Sequence, residues 1–360
     1  MKNYFFSGIQ QIGIGTEDFK KSWDWYIEHF QVNIRILEDD TVAELMLPYT
    51  GNSPQKRRAC IAVNLQGGGG FEIWQYSERK PKPVDFEIQI ADLGIFAAKI
   101  KSRDVKAFRQ EISAKYDKIS PIEKTPEGKH TFYLLDPFGN YFQIIEEKSV
   151  FIDEKRLAGG TVGVMIGVSD IEKALPVYQD ILGYDKVIYD QTGKFEDWTF
   201  MRGGEQQYRR ILLARTEPFK GAFSHLFGNS TVELVVALER TPKKIYEERF
   251  WGDPGFIQIC YDVTNMQGLK EYCAEKGFPF TVDSCANQAH FDMGDASGHF
   301  TYIEDPDGTL IEFVETHKIP ILKKIGWSIN LMKRDREKKL PKFLFKLMGF
   351  NRVKTSNSKS

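Results

Sequence analysis

Three glutamates lie inside strongly apolar segments of this 360-residue chain, where a carboxylate calls for an explanation. The segments are Phe71-Glu72-Ile73-Trp74, Val232-Glu233-Leu234 and Ile311-Glu312-Phe313. Side chains alternate between the two faces of a strand, so each glutamate points away from its apolar neighbours, either into a concave interior or out to water. A buried carboxylate without a partner is unfavourable. The pattern therefore leaves two interpretations open, a solvated strand residue or a ligand of a shared cation.

A repeated turn precedes two of these strands. Asp305-Pro306-Asp307-Gly308 stands before the strand with Glu312, and Asp136-Pro137-Phe138-Gly139 stands before a strand that carries Gln143 instead. Both read as hairpin turns. Because the turn is shared and the carboxylate is not, we assign the turn to the fold and Glu312 to the chemistry.

Around these strands the chain repeats one pattern four times: a strand, a helix, and then several strands. The helices begin at Asp18, Asp104, Asp170 and Asn265, each a favourable N-cap residue. We predict a first domain at residues 1–150 (units 7–80 and 84–147), a second at 151–316 (units 160–240 and 254–316), and a C-terminal tail at 317–360.

Composition limits the class of protein. The hydrophobic and aromatic fractions, 41% and 13%, are sufficient for packed cores and exclude a disordered chain. The sequence begins without a secretory signal and contains no stretch of about 18 apolar residues. The four cysteines show no Cys-x-x-Cys spacing, so we expect reduced thiols and a cytoplasmic location.

The strand, the capped helix and the Asp-Pro-x-Gly turn before a carboxylate-bearing strand together resemble the vicinal oxygen chelate superfamily. That group includes glyoxalase I, extradiol dioxygenases, bleomycin resistance proteins and methylmalonyl-CoA epimerase, and the resemblance covers about residues 7–316. It implies an α+β fold in which paired βαβββ units form cupped mixed sheets around a divalent metal. The four units here imply two such domains, followed by a basic C-terminal extension.

The resemblance also implies where metal ligands lie, on the first and the last strand of each unit. The first-strand positions are Gln11, Ala97, Gly163 and Gln258, and the last-strand positions are Glu72, Gln143, Glu233 and Glu312. If neighbouring units pair, the better set is Gly163, Glu233, Gln258 and Glu312. If they pair crosswise, as in glyoxalase I, it is Gln11, Glu72, Gln258 and Glu312. Both pairings stay open, so Glu233 remains a candidate ligand.

An all-oxygen ligand set favours Mg²⁺, Mn²⁺ or Ca²⁺ over Zn²⁺. Extradiol dioxygenases hold iron with two histidines and one glutamate, and that complete triad is absent from these positions, which argues against ring cleavage. The glycines at 67–70 precede a strand and not a helix, so we expect no nucleotide cofactor. All six histidines miss the ligand positions, although His290 and His299 precede the last hairpin, where a loop could cover the cup.

Two functions fit these observations. The first is a metal-dependent lyase or isomerase of glyoxalase type, in which Glu312 or Glu72 moves a proton on a small carbonyl compound. The second is a binding protein similar to bleomycin resistance proteins, with a flat apolar ligand held by aromatic side chains. The candidate ligand-binding residues are Trp74, Tyr133, Trp198, Tyr302 and His299.

The tail has its own charge. It contains 13 Lys and Arg against two acids, so it carries +11 while residues 1–316 carry −12. We expect the tail to dock on its own body or on a second subunit as a homodimer. An anionic membrane surface is the less favoured alternative, and nucleic acid is not expected.

Overall fold

The computed structural model describes residues 2–286, 291–292 and 297–355. The first two units each begin with a long strand and a helix. Unit 1 comprises β1 (Phe5–Gly15), α1 (Phe19–Phe30), β2 (Ile34–Ala43), β3 (Gln55–Val63) and β4 (Gly70–Tyr76). Unit 2 comprises β5 (Gly94–Ser102), α2 (Val105–Ser113), β6 (Glu123–Lys124), β7 (His130–Leu135) and β8 (Tyr141–Glu146).

The third and fourth units repeat the plan, and the tail adds short elements. Unit 3 comprises β9 (Ala158–Gly167), α3 (Ile171–Leu175, continued by a π-helical turn at Pro176–Ile181), β10 (Lys186–Gly193), β11 (Tyr208–Ala214), α4 (Ser224–Phe227) and β12 (Thr231–Ala237). Unit 4 comprises β13 (Gly255–Thr264), α5 (Met266–Glu275), β14 (Val282–Asp283), β15 (Phe291–Asp292), β16 (Ser297–Glu304) and β17 (Leu310–Leu322). The tail contributes β18 (Trp327–Asn330) and α6 (Lys342–Met348).

The strands form two mixed sheets, and each sheet takes one unit from each half of the chain. The first sheet has the order β14-β16-β17-β13-β1-β4-β3-β2, with β15 and β18 paired to its members, so it combines units 1 and 4. The second has the order β10-β11-β12-β9-β5-β8-β7-β6 and combines units 2 and 3. The crosswise pairing is therefore the one adopted. We call the two concave surfaces the first and second cups.

The helices begin where the sequence predicts. The Asp18, Asp104 and Asp170 side chains each accept a hydrogen bond from the backbone N–H three residues on, and Asn265 does the same from a left-handed conformation. These bonds satisfy one of the N–H groups that a helix start leaves without an intrahelical partner. Each unit thus has the same local signal for passing from its first strand into its helix.

The two Asp-Pro-x-Gly turns hold the halves of the chain together. The Asp136 carboxylate accepts a hydrogen bond from the Tyr26 hydroxyl at 2.7 Å, and Asp305 accepts one from Tyr178 at 2.8 Å. Each tyrosine lies on the helix of the preceding unit, and all four side chains are buried. Sheets therefore join units 1 with 4 and 2 with 3, while these bonds join 1 with 2 and 3 with 4.

The strand that carries Glu312 runs on to Leu322, beyond the residue where the sequence suggested that the tail begins. Strand β18 then pairs with it, which extends the first sheet. The domain boundaries drawn at residues 150 and 316 remain predictions. Within the described ranges, no helix is long and apolar enough to span a bilayer.

Candidate functional site

Four polar side chains from adjacent strands meet on the floor of the first cup. They come from β1, β4, β13 and β17 and are Gln11, Glu72, Gln258 and Glu312. The Gln258 Nε2 donates to Glu72 at 3.0 Å and to Glu312 at 3.3 Å, and the Gln11 Nε2 lies 3.4 Å from Glu312. The accepting oxygens of the two glutamates are therefore no more than about 6 Å apart. The crosswise ligand set predicted from the sequence is brought together.

A glycine makes room for this arrangement. Gly13 lies opposite both Glu72 and Gln258 on the strands that flank β1. A Cβ at Gly13 would stand 2.7 Å from the Gln258 amide carbon, closer than real Cβ contacts. Only glycine therefore lets the Gln258 side chain cross β1 and reach Glu72.

A tryptophan outside the repeat determines which end of the Gln258 amide faces the carboxylates. The Trp251 Nε1 donates to the Gln258 Oε1 at 3.0 Å, and an indole N–H can only donate. The amide oxygen is thereby turned toward Trp251 and the NH₂ group toward Glu72 and Glu312. The sequence-based expectation of four oxygen ligands is corrected at Gln258, which presents N–H groups to this floor.

Burial makes the two glutamates weak acids. Desolvation, and then the neighbouring Glu312, raise the pKa of Glu72 to about 8, and desolvation also raises the pKa of Glu312. Among the described residues neither glutamate forms an ion pair with a Lys, Arg or His. Tyr302 stands directly across from Glu312 on the neighbouring strand, and its hydroxyl interacts with that carboxylate. Near neutral pH the pair thus shares a proton or attracts a cation.

We tested the floor against the divalent metal implied by the resemblance. The two carboxylates are suitable ligands for a hard cation, and the buried Gln11 Oε1 has no hydrogen-bond partner, so this amide is free to present its oxygen. Gln258 is not, because it would have to leave Trp251. In the described part of the chain no three His, Cys, Asp or Glu side chains form a cluster of metal-binding type. The residues present fit a three-oxygen site.

A cavity of about 380 Å³ opens above this floor. Its polar end includes Gln11, Glu72, Glu312 and Tyr302. Its walls are mostly apolar and include side chains from two places outside units 1 and 4: Phe223, Leu226 and Phe227 from unit 3, and Phe345 and Met348 from the tail. The site thus combines a proton-sharing carboxylate pair with an apolar chamber.

One charged pair also borders the cavity. The Arg57 guanidinium is hydrogen-bonded to Asp39 at 2.5 Å, and both side chains are about nine-tenths buried. The pair is internally neutralised, so it leaves the negative charge of the floor largely uncompensated. Arg57 still acts on Glu72 at a distance and lowers its pKa, against the larger effect of burial.

In the second cup, charged side chains of the protein pair with Glu233, the remaining candidate metal ligand. The Lys99 Nζ and the Arg210 Nε each lie 2.6 Å from the Glu233 carboxylate. Against the opposing effect of burial, these two cations hold the pKa of Glu233 at about 2. Glu233 is therefore neutralised by side chains of the protein and lies in a different sheet from Gln258 and Glu312.

The same cup holds two aromatic residues that we expected to bind a ligand. Tyr133 and Trp198 are fully buried, and the Trp198 Nε1 donates to the Tyr133 hydroxyl at 3.0 Å. The Arg210 guanidinium stacks on the Trp198 ring at 3.8 Å. Neither aromatic residue borders the cavity, because they fill the second cup as its core.

In the first cup the structure separates the remaining candidates. Tyr302 borders the cavity, as predicted. Trp74 does not, because it is fully buried beneath the floor and packs edge-on against Trp251 at 4.6 Å. His299 lies outside the cavity wall, with its ring 4.8 Å from that of His317. His290 lies outside the described residues.

Sequence reasoning missed Trp251 and the apolar side chains that come from unit 3 and the tail. Trp251 precedes the first strand of unit 4 in a segment without a repeat counterpart, so no spacing rule could have found it. The tail segment around Phe345 interleaves basic and apolar residues, and its partner surface combines nearby residues such as Ile321 with Phe223 and Leu226, which are more than a hundred positions away.

Comparison with solved structures supports the fold. Glyoxalase I from Zea mays aligns with a TM-score of 0.52 and 14% identity, over 86% of this chain and 92% of that one. A variant of the same enzyme gives 0.54 and 14%, over 87% and 94%. A candidate dioxygenase from Bacillus subtilis gives 0.53 and 12%, over 86% of both chains. At these identities the likeness shows the fold alone. No curated protein sequence matches the chain significantly.

Two sequence models of one family match the chain in succession. Both carry the description glyoxalase/bleomycin resistance protein/dioxygenase superfamily, and they cover residues 8–144 and 164–295. Together these matches span well over half of the sequence. With the repeated units and the paired cupped sheets, they identify the chain as a tandem member of the glyoxalase/bleomycin resistance protein/dioxygenase superfamily, which is the vicinal oxygen chelate superfamily.

Proposed function

We propose that the first cup is an active site that moves a proton on a small, largely apolar carbonyl compound, as a lyase or isomerase of glyoxalase type. The observation that carries this proposal is the pair Glu72 and Glu312, which meet on the floor of the cavity without an ion-pair partner among the described residues. The buried Glu233 of the second cup has two cationic partners. On the floor of the first cup, by contrast, the two carboxylates are left without a cationic partner at a place that a ligand can reach.

The chemistry follows from the protonation state of the pair. Two carboxylates that share a site release their protons in two steps, and a pKa of about 8 for Glu72 keeps that carboxyl largely protonated near neutral pH. The ionised carboxylate can remove a proton from the carbon next to a carbonyl group, and the protonated one can return it to the neighbouring atom. The Gln258 amide holds both carboxylates in place, and Tyr302 supplies a hydroxyl beside Glu312.

A divalent cation, when bound, polarises the substrate carbonyl as a Lewis acid. Glu72, Glu312 and the Gln11 Oε1 are the groups that would hold it. Their oxygen chemistry favours Mg²⁺, Mn²⁺ or Ca²⁺ over Zn²⁺. An apolar ligand that fills the chamber displaces water from the floor, which strengthens the electrostatic effect of every charge there.

The test is solvent exchange of carbon-bound protons. We expect the protein to catalyse deuterium incorporation from D₂O next to the carbonyl of apolar 2-oxoaldehydes or α-hydroxyketones, measured by NMR with and without added Mn²⁺. The Glu312→Gln variant keeps the shape of the floor but removes a base, so exchange should fall at least about 100-fold. Glu146→Gln, on the outer part of strand β8, is the matched control. Equal exchange in all three proteins would remove the basis of the proposal.

One observation favours a second candidate, a binding protein without catalysis. The Trp251 bond turns the Gln258 NH₂ group toward the carboxylates. In this orientation the amide holds Glu72 and Glu312 by donating hydrogen bonds, and an NH₂ group cannot bind a metal. In that case the cavity holds an apolar ligand whose affinity is unchanged by chelator. Calorimetric titration of the same carbonyl compounds in EDTA and in Mn²⁺ distinguishes the two candidates. For the metal-dependent enzyme, ligand affinity or proton exchange should change when Mn²⁺ is added. For the binding protein, ligand affinity should be the same in both solutions.

A further inference from the structure

The tail concentrates exposed apolar side chains. Five of the eight large apolar residues that stand out as exposed in the described ranges belong to it, and Ile325, Phe343 and Phe350 are 73%, 57% and 68% exposed. The tail is about an eighth of the chain. Such a density of exposed aromatic and aliphatic side chains typically marks an interaction surface.

Helix α6 divides the tail into an inner and an outer face. Leu344, Phe345 and Met348 point inward and are buried, and the last two border the cavity. Phe343 on α6 and Phe350 on the 3₁₀ turn that follows it are both exposed, and Lys346 lies between them in the sequence.

A third exposed apolar side chain, Ile325, joins this outer face from the turn before strand β18. The Lys323 backbone N–H donates to the Asn351 side-chain oxygen at 3.2 Å, which holds the turn at Lys323–Ile325 beside the turn at Gly349–Asn351. Ile325 and Phe350 therefore lie on neighbouring turns. We call the surface formed by Ile325, Phe343 and Phe350 with the surrounding lysines the outer tail surface.

The outer tail surface is also cationic. Lys339 and Lys346 are exposed, and neither forms an ion pair with a residue in the described ranges. Other cations hold the tail to the body, since Arg336 pairs with Glu315, Arg352 pairs with Glu154, and Lys342 lies over the Phe151 ring at 5.1 Å. Lys346, between Phe343 and Phe350 in the sequence, is thus left available for an external anion.

We propose that the outer tail surface docks on an anionic lipid bilayer. Lysines attract the negatively charged headgroups, while Phe343, Phe350 and Ile325 enter the boundary between headgroups and acyl chains. A nucleic acid uses the positive charge but gives no reason for an exposed isoleucine at the same place, and a second copy of the chain offers acidic patches rather than an apolar phase. The lipid surface satisfies both properties together.

The position of α6 gives this docking a consequence for the ligand. The helix that faces the bilayer on one side forms part of the cavity wall on the other. If the proposed function holds, the class of substrate is therefore a carbonyl compound with an apolar chain that partitions into lipid. The docking itself does not depend on the floor, so vesicle binding should persist in the Glu312→Gln variant even if no proton exchange is found.

The experiment is sedimentation of the full chain with vesicles of phosphatidylcholine alone or mixed with phosphatidylserine. We expect binding only to the mixed vesicles, and we expect it to weaken as salt is raised. The double variant Phe343→Ser/Phe350→Ser should bind about tenfold or more weakly. The double variant Val187→Ser/Leu238→Ser removes two exposed apolar side chains elsewhere and should bind like the wild type.

Circular dichroism and urea unfolding of each variant verify that the fold is retained, since all four substituted side chains are exposed. The proposal is overturned if the wild type ignores phosphatidylserine, or if the Phe343/Phe350 variant binds as well as the control variant. It is also overturned if sedimentation velocity shows dimers that the Phe343/Phe350 variant loses, or if duplex DNA competes fully with the vesicles. Loss of dimers in the variant identifies a second copy of the chain as the partner, and full competition by DNA identifies a nucleic acid.

Discussion

Replacing Glu72 by glutamine should stabilise the protein, and the gain should grow with pH. Burial beside Glu312 raises the pKa of Glu72 from an ordinary 4.5 to about 8, so the folded protein binds the Glu72 proton more tightly than the unfolded chain. Stability contributed by this group is complete below pH 4.5 and is lost as pH rises toward 8. A glutamine is isosteric with the protonated acid and does not ionise, so the variant avoids that loss.

The magnitude follows from the shift. At about 1.4 kcal/mol per pH unit, the ionisation of Glu72 lowers the free energy of unfolding by roughly 3 kcal/mol at pH 7. Glu72 is partly exposed to the cavity, where water offsets some of the desolvation. We therefore expect the Glu72→Gln variant to exceed the wild type by about 2 kcal/mol at pH 7 and by close to zero at pH 4.5.

Urea unfolding followed by tryptophan fluorescence in EDTA, at several pH values between 4.5 and 8.5, measures this difference. Buried acids away from the floor also titrate, but they cancel in the comparison of variant and wild type. A difference that stays flat with pH, or a variant less stable than the wild type at pH 8, would refute the reasoning. Adding Mn²⁺ reverses the order if the floor binds the cation, because only the wild type retains both carboxylates.

Three further outcomes follow from the same contacts. Glu233→Gln should destabilise the protein by about 3–5 kcal/mol at pH 7, because it leaves the buried Lys99 and Arg210 without their carboxylate partner. Urea unfolding measures the change, and a loss below about 1 kcal/mol would contradict the ion-pair account. Trp251→Phe keeps an aromatic ring but removes the indole N–H, so the Gln258 amide is free to turn its oxygen toward the floor. Mn²⁺ affinity measured by calorimetry should rise about fivefold, which corresponds to the free energy of one hydrogen bond. Unchanged or weaker binding would contradict the assigned orientation of the amide. Tyr178→Phe should lower the free energy of unfolding by about 1–3 kcal/mol, because the buried carboxylate of the fourth-unit turn loses a donor, whereas an unaffected stability would show that the turn is held by other contacts.

Much of the fold was predictable because its signals are local. The helix starts at Asp18 and Asp170 follow from side chains that cap the next turn, within three residues of themselves. The turn at Asp305 follows from the conformational preferences of four consecutive residues. Repetition of these signals is what allowed four units to be counted, and the superfamily and the α+β cupped sheets were confirmed.

The candidate site was predictable only in part. Glu72 and Glu312 could be singled out because a carboxylate in an apolar strand requires either water or a partner. Glu233 could not be told apart from them, because its partner Lys99 belongs to another unit and occupies the place where a cation would bind. Spacing alone could not distinguish a glutamate with a cationic neighbour from one without.

Sequence by itself thus determined the units, their helix starts and turns, and the strand positions of the carboxylates, since all of these depend on neighbouring residues. Tertiary structure decided which units share a sheet, and therefore that Gln11 meets Glu312 across 301 positions. It also decided that Trp251 turns the Gln258 amide and that the tail forms part of the cavity wall. These features depend on pairing between distant segments, where the direction of one hydrogen bond or the location of one cation has no local signature.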